Sequence, residues 1–159
     1  MPIFFDIFFE NAAVYFFSAP ETKHLAAEKY WEQDQITLLE GLLWLTLNVY
    51  HEARSEPQIG QVAVALVTLN RANETHKPIK DVVREPYQFS WTFQKESYLP
   101  DDPKAFLECL QSVYIALKSK DFTQGATHYH LDSVTPYWSS EFTYLDKYGS
   151  HKFYKLAER

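Results

Sequence analysis

The feature that most constrains the fold is the segment Ile36–Ala53, which is apolar on almost every side of a helix. A helix that is hydrophobic all round is usually central and buried. Gly41 weakens this helix locally, and Pro57 prevents its continuation past Glu56, because proline lacks a backbone N–H and disfavours the helical conformation in the residue before it. The sequence therefore predicts a long central helix that ends shortly before Pro57.

Three further stretches complete a mainly helical body. Glu21–Trp31 has the composition of a short polar helix, and Gly60–Arg71 reads as an apolar helix whose small residues allow a neighbour to approach closely. An amphipathic helix follows Asp102, which can cap it, and Pro103, which suits its first turn. Asp81–Gln94 looks irregular. We expect these helices to pack around the central one.

The chain changes character after Gly125. Ala126–His130 and His151–Lys155 are short and rich in aromatic and β-branched residues, a pattern that predicts a pair of strands. The fold class is therefore α+β, with a mainly helical body and a small antiparallel β-sheet near the C-terminus.

Charge and composition narrow the function. The 159 residues hold 15 Lys and Arg against 21 Asp and Glu, a net charge of −6. A nucleic acid held by phosphate neutralisation needs a basic face, so we expect no such partner. Motifs of serine hydrolases, P-loops and dinucleotide-binding folds are missing. The single cysteine, Cys109, lies in a helical apolar pattern and is expected to be a core residue.

Residues 1–40 are expected to form an N-terminal helical extension to a domain spanning residues 41–159. Ile3–Phe17 is rich in Phe but carries Asp6 and Glu10 and no basic residue. A secretory signal requires a positive start and an uncharged apolar stretch, and a spanning helix requires about twenty apolar residues. We therefore predict no signal peptide, no stable membrane insertion, and a helix whose aromatic face packs on the domain or forms a homodimer.

The strongest chemical candidate lies at the end of the central helix. Two carboxylates, Glu52 and Glu56, stand with His51 and Arg54 just beyond the apolar stretch. A carboxyl group held against apolar walls loses solvation of its charged form, so its pKa rises and it can act as a general acid. The alternative for Glu52 is a salt bridge with Arg54 at the helix end, and the local residues leave both open.

A zinc site is a rival interpretation. His51, His128 and His151 could join Glu52 as metal ligands, although no HExxH or cysteine pattern supports this. We expect the side chains of His128 and His130 to point to opposite faces of their strand, which would keep them from sharing one metal. Histidines that are structural or contact substrate are the favoured interpretation, and no cofactor or metal is predicted.

Several segments, in order along the chain, resemble the SleB/CwlJ cell-wall hydrolase family, which includes spore-cortex-lytic enzymes and phage lysis proteins. The segment Tyr50–Pro57 (YHEARSEP) is similar to the family signature Y-x-E-A-R-G-E-P, with Ser55 in place of the usual Gly. His130 is a second departure, since the family often has another aromatic residue or Asn there. The remaining similar segments are Gly60–Val64, Leu69–Arg71, Gln88–Ser90, Gly125–Tyr129, Trp138 and Gly149–Tyr154.

The resemblance implies a compact lysozyme-like fold in which Glu52 is the catalytic residue. It also implies a peptidoglycan lytic transglycosylase, in which one carboxyl group acts first as acid and then as base at the MurNAc–GlcNAc bond. Two alternatives stay open: a muramidase that uses Glu56 as a second carboxylate, and a metal-dependent cell-wall amidase. We favour a structural role for Glu56, paired with Arg54, Arg71 or backbone amides.

The resemblance also implies two walls for a glycan groove. Gln88, Phe89, Ser90 and Trp91 form a loop of polar and aromatic groups that suits glycan contact, although core packing is an equal alternative for Phe89. The other expected substrate-binding residues are Thr127, His128, Tyr129 and Trp138, with Glu56, Arg54 and Asn70 as possible supporting residues. His128 is a candidate for orienting Glu52 or for binding an acetamido group.

The expected partner is the peptidoglycan glycan strand. A phage endolysin-like protein without a signal peptide would stay in the host cytoplasm until it is released to the periplasm and cell wall. Both expectations depend on the resemblance and on the character of the N-terminal segment.

Overall fold

The computed structural model describes the backbone of residues 24–157 and the side chains of residues 34–157. Five α-helices, a 3₁₀ helix and three strands follow one another in this range. They are α1 (His24–Ala53), α2 (Gln58–Thr75), α3 (Ile79–Arg84), α4 (Trp91–Gln94), α5 (Pro103–Lys118), β1 (His128–Leu131), the 3₁₀ helix (Tyr137–Ser140), β2 (Phe142–Tyr148) and β3 (His151–Leu156).

Backbone contacts group the chain into two units, Met1–Leu38 and Leu39–Arg159, and all the side-chain contacts described below lie in the second. The domain boundary expected after residue 40 stays a prediction. The segment Ile3–Phe17 lies outside the described residues, so the expectations for a signal peptide, an N-terminal helix and a homodimer stay predictions as well. Within the described range, no helix is long and apolar enough to cross a membrane.

The C-terminal part of α1 is the centre of the helical body. Every residue from Leu45 to Tyr50 is buried, as the all-round apolar pattern predicts. The expectation is wrong for the preceding turns, where Leu39 and Leu43 are about half exposed. Helix α1 ends at Ala53, whose carbonyl accepts a hydrogen bond from the amide of Glu56 at 2.9 Å. That turn leads directly into Pro57 and α2.

Helix α2 packs against α5 and contributes an almost continuous buried run from Gly60 to Thr68. Helix α5 begins as the sequence predicts: the Asp102 carboxylate accepts hydrogen bonds from the amides of Lys104 and Ala105, both at 3.0 Å, and Pro103 occupies the first helical position. Cys109 of α5 is fully buried in the core, as expected, and burial raises the pKa of its thiol to about 12.

The sheet is antiparallel, with the strand order β1-β3-β2. Strands β1 and β3 form the pair that the sequence predicts, with His128 opposite Tyr154 and Tyr129 opposite Phe153. Strand β2 adds to the other edge of β3 and carries an irregularity between Tyr144 and Asp146. Phe153 points into the helical core, so the middle strand ties the sheet to the body.

Three sequence expectations need correction. The separate helices expected at Glu21–Trp31 and Ile36–Ala53 are one continuous helix from His24, because nothing between them breaks the helical hydrogen-bond ladder. Asp81–Gln94 is not irregular throughout, since α3 and α4 lie within or across it. Strand β2 was not expected, because its residues are mostly exposed and lack the two-residue alternation of a half-buried strand.

Candidate active site

Glu52 lies in the last turn of α1, beside the sheet. Its carboxylate oxygen Oε2 accepts a hydrogen bond from the hydroxyl of Tyr129 on β1 at 3.1 Å. Burial raises the pKa of Glu52 above its ordinary value, while the Tyr129 hydrogen bond and the charge of Arg71 act in the opposite direction. The carboxyl group therefore keeps its proton to a higher pH than an exposed glutamate would, as a general acid requires.

Arg71 of α2 supplies a positive charge that acts to lower the pKa of this carboxyl group. Its Nε donates to the carbonyl oxygen of Thr127, and its Nη1 donates to Oε1 of Gln88 at 3.0 Å. The guanidinium carbon lies 5.2 Å from the centre of the Phe89 ring. Arg71 thus connects the loop before α4 to the segment that leads into β1. The sequence analysis named Arg71 only as a possible partner of Glu56, which in the structure contacts Ser150 and His151 instead.

Tyr129 was expected as a groove wall, and the structure gives it a more specific place. Burial, followed by the charge of Glu52, raises the pKa of its phenol well above the ordinary value, so the hydroxyl stays a hydrogen-bond donor. From the sequence, His128 was a candidate for orienting Glu52. In the structure, the residue in hydrogen-bond contact with Glu52 is Tyr129, the neighbour of His128 along the chain.

Replacing Tyr129 by phenylalanine is expected to raise the pKa of Glu52 further. The change keeps the ring but removes a hydrogen bond that stabilises the ionised carboxylate. Burial, which raises the pKa of Glu52, is then offset only by the charge of Arg71. Titration of the Glu52 side-chain carboxyl carbon by NMR measures this shift directly. Tyr148→Phe is a suitable control, because the Tyr148 hydroxyl contacts the Phe122 carbonyl and Asp146. A Glu52 pKa that falls or stays constant in Tyr129→Phe would contradict the assignment.

His128 and Thr127 form a small cluster next to Tyr129. The His128 Nδ1 atom lies 3.0 Å from Oγ1 of Thr127, and its ring lies 4.5 Å from that of Phe142. Burial, aided by the charge of Arg71, lowers the pKa of His128 to about 4. The imidazole is therefore neutral at physiological pH and serves as a neutral hydrogen-bonding group.

Trp138 of the 3₁₀ helix is partly buried against the sheet. Its ring lies 5.5 Å from His128 and 5.6 Å from His130, measured between ring centres. The expectation that these two histidines point to opposite faces is therefore wrong, because residues two apart in a strand share a face. The His130 side chain nevertheless makes a hydrogen bond within the sheet, with its Nε2 atom 2.9 Å from the Tyr154 hydroxyl. Among the described residues, no group of three or more His, Cys, Asp or Glu is arranged to hold a metal ion.

The loop Gln88–Trp91 is divided between surface and core. Gln88 and Ser90 are exposed, as a groove wall requires, but Phe89 and Trp91 are only 2% and 3% exposed. The Trp91 indole N–H donates to Oδ1 of Asn48 on α1 at 2.9 Å. Phe89 and Trp91 therefore pack the core beneath this surface. For Phe89 this is the core-packing alternative that the sequence left open, whereas for Trp91 it corrects the expectation that the ring lines a groove. Local sequence does not reveal which aromatic residues of a loop point inward.

Glu56, the second carboxylate of the signature, faces a different part of the molecule. Its side chain is 8% exposed, and its Oε2 accepts a hydrogen bond from the amide of Ser150 at 2.7 Å. Its Oε1 lies 3.8 Å from Nδ1 of His151. Glu56 thus fastens the turn between β2 and β3 to the start of α2. Backbone amides were among the partners that the sequence suggested for it.

Arg54 and Asn70 each join two segments of the domain. Arg54 Nη1 donates to the Tyr50 hydroxyl at 2.7 Å and to the carboxylate of Asp101 at 2.8 Å. Asn70 donates to the carbonyl of Ala126 at 3.0 Å and to Asp121 at 3.1 Å, which holds the loop that precedes β1. Arg54 therefore does not neutralise Glu52, so the helix-end salt bridge considered from sequence is not formed.

Glu52 is thus a carboxyl group that accepts a hydrogen bond from a phenol and is influenced by the charge of a guanidinium group. Among the described residues, the groups that act on its ionisation are Tyr129 and Arg71, and no second carboxylate is among them. A proton donor in this setting can release its proton to a bound oxygen. The resulting carboxylate then has a hydrogen-bond donor and a positive charge to stabilise it.

Comparison with known proteins shows the family to which this chain belongs. The model of the family described as Cell Wall Hydrolase matches residues 55–154. The chain belongs to the cell wall hydrolase family. The matched range begins just after Glu52, so the role of this residue rests on the geometry described above and on the signature around it.

Relatives and solved structures agree with the family. The spore cortex-lytic enzyme of Halalkalibacterium halodurans is 37% identical over 108 residues, which cover 66% of this chain and 32% of that protein. The chain is also similar to the catalytic domain of the Bacillus cereus SleB protein, at 31% identity and a TM-score of 0.63, covering 74% of this chain and 91% of that one. The catalytic domain of the germination-specific lytic transglycosylase SleB from Bacillus anthracis gives 30% identity and the same TM-score, covering 73% of this chain and 94% of that one.

These likenesses confirm the SleB/CwlJ-type resemblance and the lysozyme-like α+β fold. The chain spans 32% of the length of the Halalkalibacterium halodurans relative but nearly all of the two catalytic domains. The family signature was thus sufficient to identify the domain from the sequence.

Proposed function

We propose that this chain is a peptidoglycan-degrading lytic transglycosylase that cleaves the bond between MurNAc and GlcNAc, with Glu52 as its single catalytic carboxyl group. The observation that carries the proposal is the partly buried Glu52 carboxyl, whose pKa is raised by burial, which accepts a hydrogen bond from Tyr129 and which the charge of Arg71 influences. Among the described residues, no second carboxylate acts on its ionisation. Membership of the cell wall hydrolase family and the likeness to a lytic transglycosylase domain support the substrate and the reaction.

The reaction needs one residue in two protonation states. Protonated Glu52 gives its proton to the glycosidic oxygen as the bond from that oxygen to C1 of MurNAc breaks. The Tyr129 hydroxyl and the charge of Arg71 stabilise the carboxylate that remains. The carboxylate then takes the proton of the MurNAc 6-hydroxyl while O6 bonds to C1. This step closes a 1,6-anhydro ring and restores the acid without consuming water.

The products distinguish this reaction from hydrolysis. Purified protein incubated with peptidoglycan sacculi is expected to release 1,6-anhydromuropeptides, which mass spectrometry separates from reducing-end muropeptides by the mass of one water. Reducing MurNAc ends would instead indicate a muramidase, in which a water attacks C1. Cleaved stem peptides with intact glycan strands would indicate an amidase.

Chelation by EDTA distinguishes the proposed transglycosylase from a metal-dependent amidase. The proposed mechanism moves its proton through Glu52 alone, so EDTA is expected to leave the rate of anhydromuropeptide release unchanged. Restoration of a lost activity by added zinc would contradict the proposal and favour the amidase. A role in cell lysis, as in phage endolysins, is a further part of the proposal that only the similarity of the signature supports.

A further inference from the structure

An exposed pair of aromatic side chains stands beside the site and takes no part in the core. Tyr87 is 88% exposed and Phe93 is 58% exposed, and their ring centres lie 6.1 Å apart with an angle of 61° between the planes. The two rings form an open corner, with Tyr87 on the loop that also carries Gln88 and Phe93 on α4. Exposed apolar groups that cluster in this way often mark ligand-binding surfaces.

Tyr87 occupies a backbone position that does not suit it. It follows Pro86 in a tight turn that the amide of Gln88 closes by donating to the carbonyl of Glu85 at 3.2 Å. The φ angle of Tyr87 is +65°, in the left-handed region that glycine or asparagine usually fills at this position of a turn. A bulky residue with positive φ is rare, and strained backbone tends to occur at functional sites.

Packing does not explain why a tyrosine is found there. The residue is 88% exposed, and its one ring contact among the described residues is with Phe93, which is itself largely exposed. Glycine would relieve the backbone and lose almost no buried surface. The chain therefore carries a strained conformation in order to present an aromatic side chain to solvent.

The corner is directly connected to the site. Gln88, the next residue, accepts a hydrogen bond from Arg71 at 3.0 Å, and the charge of Arg71 acts on Glu52. A glycan strand that reaches Glu52 is a linear polymer and extends several sugar rings beyond the bond that is cleaved. Pyranose rings have faces of C–H groups that stack on aromatic rings, and tyrosine and phenylalanine offer large contact areas for such stacking.

We propose that Tyr87 and Phe93 form an accessory subsite that binds a sugar ring of the peptidoglycan strand, at a distance from the bond that is cleaved. The proposal rests on the proposed function for the identity of the strand. It assigns to the loop a binding role through two residues other than the buried Phe89 and Trp91. The subsite contributes affinity for long strands and takes no part in proton transfer.

The test measures binding and cleavage separately. Binding of Glu52→Gln protein to insoluble sacculi is followed by co-sedimentation, alone and combined with Tyr87→Gly, Tyr87→Phe or Phe93→Ala. Tyr87→Gly and Phe93→Ala are expected to weaken binding about tenfold each, and Tyr87→Phe to stay within about twofold. Tyr114→Ala is the matched control, because Tyr114 is an exposed tyrosine on α5, and its loss is expected to leave binding unchanged.

Thermal unfolding separates a binding defect from a folding defect. Tyr87→Gly removes backbone strain, so its midpoint of unfolding is expected to equal or exceed that of the parent. With Glu52 intact, Tyr87→Gly should raise KM on sacculi with kcat unchanged. Unaltered binding in both Tyr87→Gly and Phe93→Ala would overturn the subsite, even if the wild type releases anhydromuropeptides. If the wild type releases no glycan fragments, the proposed function fails, while the binding measurements still decide the subsite.

Discussion

Replacement of Glu52 by glutamine is expected to reduce the release of anhydromuropeptides by roughly 10²–10⁴-fold, the range that general acid–base catalysis contributes. Glutamine keeps the size of the side chain and can accept the Tyr129 hydrogen bond, but it cannot give a proton to the glycosidic oxygen. The measurement is the initial rate of soluble muropeptide release from sacculi. Glu108→Gln, on the exposed surface of α5, is the matched control and is expected to retain full activity.

The Glu52→Gln substitution, which is expected to lower activity, is also expected to raise the free energy of unfolding as pH increases. Because the folded-state pKa of Glu52 is raised, the contribution of Glu52 to stability is fully present below its unfolded pKa and is lost as pH rises through its folded pKa. Glutamine carries no such penalty, so Glu52→Gln is expected to gain in unfolding free energy relative to wild type as pH rises. Chemical denaturation between pH 4 and 8 measures this difference. A variant that retains activity, or that loses both activity and fold, would contradict the assignment.

Replacement of Gly149 by alanine is expected to cause a larger loss of stability than the same replacement at Gly125. Gly149 has a φ of +60°, and a Cβ on it would lie 2.1 Å from Oε2 of Glu56. The left-handed conformation costs an alanine about 1–2 kcal/mol. Displacing the Glu56 carboxylate also breaks its hydrogen bond to Ser150, worth about 1.5–3 kcal/mol for a charged acceptor. Together these predict a loss of about 3 kcal/mol or more.

Gly125 provides the matched control for the backbone effect. It has a φ of +79°, but a Cβ there meets nothing within 4 Å, so Gly125→Ala is expected to cost about 1–2 kcal/mol. Urea denaturation measures the free energy of unfolding of both variants. The difference between their losses is the part that comes from displacing the Glu56 carboxylate. The double variant Gly149→Ala/Glu56→Ala should cost less than the sum of its single changes, because the clash is then relieved. Equal losses in the two glycine variants would mean that Glu56 does not hold this turn.

The sequence was sufficient to predict those elements that are determined by residues close together in the chain. The all-round apolar pattern before Pro57 predicted the end of α1, and Asp102 with Pro103 predicted the start of α5. The alternating aromatic segments predicted the β1–β3 pair. The family signature then singled out Glu52, which local chemistry alone had left undecided.

What the sequence did not reveal depends on contacts between distant residues. Tyr129 is 77 residues from Glu52, and Arg71 is 56 residues from Thr127, so no periodicity connects them. Burial of Phe89 and Trp91 depends on Asn48 and Arg71, which lie on two different helices. Strand β2 was not predicted because most of its residues face solvent and so give no alternating apolar pattern. The strand forms because its backbone pairs with β3.

The long separations within the site have a consequence for how the protein is made. The Tyr129 hydrogen bond to Glu52 and the Ser150 hydrogen bond to Glu56 close loops of 77 and 94 residues. Closing a loop of this length lowers the conformational entropy of the chain before the contact is made. We therefore expect such contacts to form late in folding. On the ribosome, we expect Glu52 to stay hydrated until the strand that carries Tyr129 has emerged and packed against α1. The acid would then acquire its raised pKa late in the synthesis of the domain.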